Sequence, residues 1–304
     1  YSLSIFRKTS QKRCDSVYHI GILQLTQNLD DAVEGFKTRL RETGASVEFH
    51  YYNADGAPND LPSLADKLAA LPVDLIFACS TPAALAASQL PQNIPVVFTP
   101  VFDPVGAGLV RSLAHPGGKA TGMAGMVSAE KKVAFIRELL PAAQRIGLIY
   151  HNGDSNGVLE AGNFRQAAQG YQITDLPVSR PEDLSLLADS LQQPLDLLFL
   201  PISRIVEENF PTIAYYAEAA NLPIIASYAP NVPAGALAAL AANHRRLGSS
   251  CADQALQILN GASPDSIPVG VVDHPDILIN AFVAGNLNIT LPPELVARAA
   301  EVYE

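Results

Sequence analysis

From Tyr18 onward, short apolar runs alternate with longer stretches in which apolar positions recur at helical spacing. Residues 18–25 (YHIGILQL) read as a buried strand. Residues 29–44 (LDDAVEGFKTRLRETG) then put Leu29, Val33, Phe36 and Leu40 on one helical face and stop at Gly44, a residue suited to a helix C-terminus. The same rhythm predicts strands at 46–53, 73–79 and 94–101, with helices at 61–71 and after Thr81. A glycine-rich stretch, HPGGKATGMAG at 115–125, breaks it. A second series follows, with helices at 128–140, 157–169, 181–192 and 206–220 and strands at 145–151, 171–178, 195–202 and 222–228.

Repeated strand–helix alternation is the signature of parallel sheets covered by helices. The expected fold class is α/β, with two similar doubly wound lobes. Their registers match at VDLIFACSTP and LDLLFLPISR, where an Asp and four apolar residues precede a polar turn. The expected division is an irregular segment at 1–17, a first lobe at 18–122 and a second at 123–242, with 243–304 recrossing between them. Within 243–304 the pattern predicts a helix ending at Asn260 and Gly261, a less regular stretch at 276–287 and a closing helix over 292–303 opened by Pro292 and Pro293.

Apolar residues at 48% and charged residues at 16% of 304 describe a globular chain with a large core. The formal charge of −10, with no basic stripe, argues against nucleic acid or an anionic membrane as main partner. No stretch approaches the ~18–20 uninterrupted apolar residues of a spanning helix. The cysteines Cys14, Cys79 and Cys251 fit neither a disulfide framework nor a zinc pattern, and Cys14 lacks the small-residue context of a lipidated cysteine. The six histidines show no close ligand spacing and no helical His–Glu pairing, so neither metal nor cofactor is expected.

Ligands of open parallel sheets collect beyond the carboxyl ends of the strands. The polar residues expected there are Gln24, Thr26 and Asn28, then Ser80 and Thr81, then Thr99, Phe102 and Asp103. In the second series they are Asn152, Asp154, Ser155 and Asn156, then Ser203 and Arg204, then Tyr228. Two readings stand for Ser80 and Thr81: Thr81 as a helix cap before Pro82, or a capped N-terminus that also receives a ligand carboxylate. Cys79 as a racemase-type nucleophile lacks the second cysteine that such chemistry requires, and reads better as a small buried hydrophobe. Tyr51 and Tyr52 read as packing or rim residues, and Asp30 and Asp31 as charges that offset a helix dipole.

The block IPVVFTPVFDPVGAGLVRSLAHPGGKATGM closely resembles that of ABC-transporter solute-binding proteins related to the tryptophan/tyrosine-binding group. STPAALA, IGLIYHNGDSN, GALAALAANHRRLG and INAFVAGNLNITLPPEL support it. The resemblance implies a type I periplasmic-binding-protein fold, exported to the periplasm or extracytoplasmic space. It also implies a monomer whose lobes, hinged near 118–125, Ala242 and Pro268, close on a small ligand and deliver it to an ABC permease. The family's ligand loops map onto the stretch after Leu25, Ser80 and Thr81, Phe102 and Asp103, and 152–156.

Two departures change the expected ligand. Where relatives read PTDN this chain has PISR, and where they read ASDES it has ASYAP, so Ser203, Arg204 and Tyr228 replace expected acidic residues. A buried ammonium needs an acidic partner, whereas arginine pairs with carboxylate. The expectation is therefore an anionic or neutral ligand with an apolar body, not a standard amino acid, anchored by Arg204 unless that side chain projects into solvent. A sensor input domain, an α/β enzyme such as a racemase, and a regulator's effector domain are the competing functions; the last lacks the basic helix-turn-helix at its front.

Overall fold

The computed structural model describes residues 17–304. Cys14 and nearly all of the irregular segment expected at 1–17 lie outside the described residues. The chain divides into two compact units, one made of the residues up to Met123 together with His244–Gly270, the other of Ala124–Asn243 and Val271–Glu304.

The first unit opens with β1 (Tyr18–Gln24), α1 (Asp30–Glu42), β2 (Val47–Asn53), α2 (Leu61–Ala69), β3 (Leu75–Cys79), α3 (Thr81–Ser88), β4 (Val96–Val101) and β5 (Ala120–Ala124). Its sheet runs in the order β2-β1-β3-β4-β5, and β1 is parallel to both β2 and β3. β3 is buried at every residue, as a central strand covered on both faces must be, while the edge strand β2 is only partly buried.

The second unit follows with α4 (Ala129–Leu139), β6 (Arg145–His151), α5 (Ser155–Ala167), β7 (Gln172–Val178), α6 (Leu187–Ser190), β8 (Leu197–Leu200), α7 (Arg204–Glu208), α8 (Phe210–Ala219), β9 (Ile224–Ala226) and β10 (Ala238–Ala241). α9 (His244–Leu259) returns to the first unit; β11 (Asp276–Asn280), α10 (Ala281–Asn286), α11 (Pro293–Arg298) and β12 (Glu301–Tyr303) return to the second. The second sheet runs β12-β11-β10-β9-β8-β6-β7 and is parallel at the described pairs except for the antiparallel pair β10–β11.

Several boundaries differ from the periodicity. The helix expected at 206–220 starts at Arg204 and breaks at Asn209, whose backbone leaves helical geometry just before Phe210 and Pro211 open α8. The segment 181–192 begins as a 3₁₀ turn, Pro181–Leu186, before the single turn of α6. The closing helix lasts only to Arg298, and EVY then adds a strand beside β11, a pairing no local pattern reveals. The less regular stretch at 276–287 is a strand followed by a short helix.

The matched segments of the two units share a device. Asp74 and Asp196, each just before a central strand, accept the backbone N–H of His19 and Arg145 on the neighbouring strand, both at 2.8 Å. Each aspartate also donates its own N–H to the carbonyl of the same residue. Asp196 additionally binds Arg145 Nη2 at 2.6 Å, and that guanidinium holds its carboxyl down at about 2.

In the first unit α1 packs on α9 with no room for side chains at the crossing. A Cβ on Gly248 would lie 1.9 Å from the Ala32 carbonyl oxygen, and one on Gly35 would lie 2.0 Å from that of Arg245. Backbone, not a flexible side chain, would have to yield. Gly248→Ala should therefore lower the thermal midpoint, with a loss of roughly 1–3 kcal/mol or more. Gly162→Ala on α5, where nothing comes nearer than 4.0 Å, should leave it unchanged or raise it slightly. Differential scanning calorimetry of the two variants checks both.

Candidate functional site

The connections leave in opposite directions from the adjacent strands β1 and β3 in the first sheet, and from the adjacent strands β6 and β8 in the second. In open parallel sheets such reversals leave a crevice at the carboxyl ends of the strands. In the first unit that edge carries the residues after β1 and β3. In the second it carries those after β6 and β8.

At the first edge, Gln24 is fully buried. Its amide N–H groups donate to the Thr26 carbonyl at 2.6 Å and to Asp30 Oδ1 at 2.8 Å, while its Oε1 accepts the Tyr51 hydroxyl at 2.8 Å. Gln24 thus stands behind the surface as an organiser of the loop, with Asp30 and Tyr51 drawn into a network that neither dipole nor rim packing predicts. Thr26 accepts the N–H of Asn28 at 3.2 Å, leaving Asn28 exposed on the turn.

The helix after β3 is capped by Ser80, not Thr81. Ser80 Oγ accepts the Ala83 N–H at 3.2 Å, and Thr81 is the first helical residue with Pro82 behind it. Ser80 holds φ at +107°, a left-handed value for a non-glycine residue, and is almost wholly buried. Thr99 belongs to the interior: it is fully buried on β4. Phe102 is buried at the turn, and Asp103 Oδ1 accepts the Gly106 N–H at 2.7 Å, so this carboxylate shapes the DPVGAG loop.

The second edge is built around Asp154. Its Oδ1 accepts the N–H groups of Asn156 (2.9 Å) and Gly157 (3.3 Å), which starts α5 at Ser155, earlier than periodicity indicates. Its Oδ2 accepts the Arg204 N–H at 3.3 Å, so one carboxylate ties the starts of α5 and α7 together. Ser203 is fully buried and accepts the His151 N–H at 3.3 Å. Asn152 donates to Ser179 Oγ at 3.0 Å, and Ser155 is exposed. The Arg204 side chain is 71% exposed and only loosely paired with Glu208, at 3.9 Å.

Sequence reading missed Glu207. Once α7 begins at Arg204, Glu207 lies one turn beyond Ser203 on the same face. Its Oε1 is buried and takes no hydrogen bond. Burial, then the nearby charges of Asp154 and Glu160, push its carboxyl up to about 7, and a backbone N–H at Ser203 works the other way. Half-buried Tyr228 lies close enough for the Glu207 charge to add to the upward push that burial gives its phenol. A half-buried acid whose Oε1 is buried and unused can meet a cation.

Beneath this edge, Glu160 and Lys132 form a buried ion pair. Glu160 also accepts the Ser227 hydroxyl and, at 2.9 Å through Oε2, the Ile202 N–H, so it anchors the turns after both β8 and β9.

Cys79 is fully buried, and burial pushes its thiol far above the range in which a thiolate forms; Cys251 is pushed the same way and contacts the Phe98 carbonyl oxygen at 3.4 Å. Neither can act as a nucleophile in this state. A pocket of about 390 Å³ among Leu139, Pro141, Asp196, Pro223 and Ile289 sits at the amino end of the second sheet, away from the crevice edge, and its one carboxylate already serves Arg145. Among the described residues, no helix is long and apolar enough to cross a membrane.

The profile of the family "ABC transporter substrate binding protein" matches residues 19–303. A tyrosine-binding protein from Clostridioides difficile (strain R20291) is 33% identical over 285 residues, covering 90% of this chain and 81% of that protein. The crystal structure of an ABC domain in complex with L-Trp from Streptococcus pneumonia superposes with a TM-score of 0.83 at 28% identity, over 94% of this chain and all of that one. A ligand-free, open substrate binding protein with adhesive properties from Clostridium difficile superposes with 0.82 at 30% identity, over 94% and 99%. The two α/β sheets, their strand-end edges and a match that runs almost from the first described residue to the last agree: the chain belongs to the family of ABC transporter substrate-binding proteins.

Proposed function

We propose that this protein is an extracytoplasmic receptor for an aromatic amino acid, which it hands to an ABC permease. The observation that carries this reading is the buried, unpartnered carboxylate oxygen of Glu207.

The acidic residue that an α-amino group requires is missing at Ser203, Arg204 and Tyr228, and that gap argued for an anionic or neutral ligand. Glu207 fills it from one turn along α7, with a backbone N–H at Ser203 drawing on its carboxylate. Arg204, so exposed, is a poor anchor for a buried carboxylate. Two relatives are described by tyrosine and by L-Trp, which supports the same ligand class.

Calorimetric titration with tryptophan, tyrosine and phenylalanine, beside their analogues lacking the amino group, tests the reading. At least one amino acid should bind at micromolar concentration or below, and its des-amino analogue about 100-fold more weakly, because that analogue leaves the buried Glu207 oxygen without a cation. Equal binding of the pair would return the ligand to the anionic or neutral class with Arg204 as its anchor.

A further inference from the structure

We propose that His19, Glu48 and His50 form a binding site for a borderline-soft divalent transition-metal ion, with Zn2+ as its representative. The parallel register of β1 and β2 sets His19 beside Glu48 and Gly21 beside His50. Alternate residues of a strand share a face, so Glu48 and His50 project together, next to the His19 ring.

The donor atoms already hold the spacing that such an ion requires. His19 Nδ1 lies 3.1 Å from His50 Nε2 and 3.7 Å from Glu48 Oε2, and His50 Nε2 lies 3.9 Å from Glu48 Oε1. Tetrahedral zinc, with bonds of ~2.0–2.1 Å, separates its ligand atoms by roughly 3.3 Å. The nitrogen pair thus stands within a few tenths of an ångström of that separation, and the mobile carboxylate somewhat further from it. In the ion-free protein the two nitrogens share a hydrogen bond and the rings lie 18° from parallel, so an ion would replace that shared proton and turn the rings about their side-chain bonds until both in-plane lone pairs meet at it.

The site is also supported and open. Asp74 holds the backbone of His19 from the β3 side by two hydrogen bonds, which fixes the strand position that carries one ligand. The imidazoles are partly buried, at 30% and 19% exposed, while Glu48 is 58% exposed and leaves a coordination position to solvent. Two imidazoles and one carboxylate favour Zn2+, Ni2+ or Cu2+ over Mg2+ or Ca2+, which prefer all-oxygen shells. The bound ion would fasten the edge strand β2 to β1 at the end of the sheet opposite Gln24 and Ser80.

The test uses the full chain, free of affinity tags and carrying Cys14→Ser so that this thiol cannot bind metal. Zn2+ should bind with one-to-one stoichiometry in calorimetry and raise the thermal midpoint, and Mg2+ should do neither. His50→Ala should weaken Zn2+ at least about 30-fold and Glu48→Gln about 10-fold. Both variants should keep the parent's amino-acid affinity, since neither residue lies at the ligand edge; Glu48→Gln, at an exposed position, keeps the test meaningful if His50→Ala folds poorly. Failure of the parent to bind Zn2+ at 100 μM, or Zn2+ binding unchanged in both variants, would overturn the site.

Discussion

Lys132→Met should destabilise the second unit by about 3–5 kcal/mol, whereas the double substitution Lys132→Met/Glu160→Gln should recover most of that loss. The asymmetry follows from where the charges sit. Lys132 is 4% exposed and Glu160 2%, and the Glu160 carboxylate is shared among Lys132, the Ser227 hydroxyl and the Ile202 N–H. Removing the ammonium alone leaves an anion in the interior with two neutral donors, and neither can offset its desolvation. Glutamine in place of the anion keeps an acceptor for one of those donors and carries no charge. Because Ile202 and Ser227 begin the turns after β8 and β9, the single variant should also weaken ligand binding, through displaced turns. Chemical denaturation followed by circular dichroism gives the two stabilities. A cost below about 1 kcal/mol for Lys132→Met would mean that the pair is solvated in solution.

The strands and their order of appearance were legible because a central parallel strand must be apolar on both faces. LIFAC and LLFL can be little else, and the aspartate before each marks the same backbone clamp in both units. Helix starts were less legible, since each depends on which side chain reaches a free N–H. Thr before Pro suggests a cap at Thr81, yet Ser80 takes that role by adopting a φ that sequence statistics disfavour. That single residue of slip puts the buried hydroxyl, not the threonine, at the cap. The same kind of slip hid Glu207: with a helix expected from 206, a glutamate at its second position reads as an ordinary dipole charge. Started at Arg204, the helix carries that glutamate back over Ser203.

The strand-end rule also gathered residues that point inward, Gln24 and Thr99 among them, because alternation along a strand sends every second side chain away from any given face. The cluster of His19, Glu48 and His50 was illegible for a different reason. His19 lies far from Glu48 and His50 in sequence, and only the register of β1 against β2 brings the three together.

Glu207→Gln should reduce amino-acid affinity by more than about 100-fold at pH 8 and abolish its pH dependence. In the unliganded protein the carboxyl titrates at about 7, raised from 4.5 first by burial and then by Asp154 and Glu160. A ligand ammonium at its unused oxygen stabilises the ionised form, so binding below pH 7 must expel a proton. Parent affinity should therefore hold above pH 7 and fall by about tenfold per unit below it. Stability of the unliganded protein runs the opposite way. The folded state carries an extra proton between pH 4.5 and 7, so this group's contribution is greatest at or below 4.5 and declines by up to about 3 kcal/mol as pH rises through 7. Glutamine carries no such penalty, and at pH 8 the unliganded variant should be more stable than the parent. Calorimetric affinities from pH 5 to 8, with thermal midpoints at the same pH values, measure both slopes. A variant that loses affinity without gaining stability at pH 8 would show that Glu207 shapes the turn without serving as counter-ion, and one that keeps full affinity would place the ligand's ammonium elsewhere.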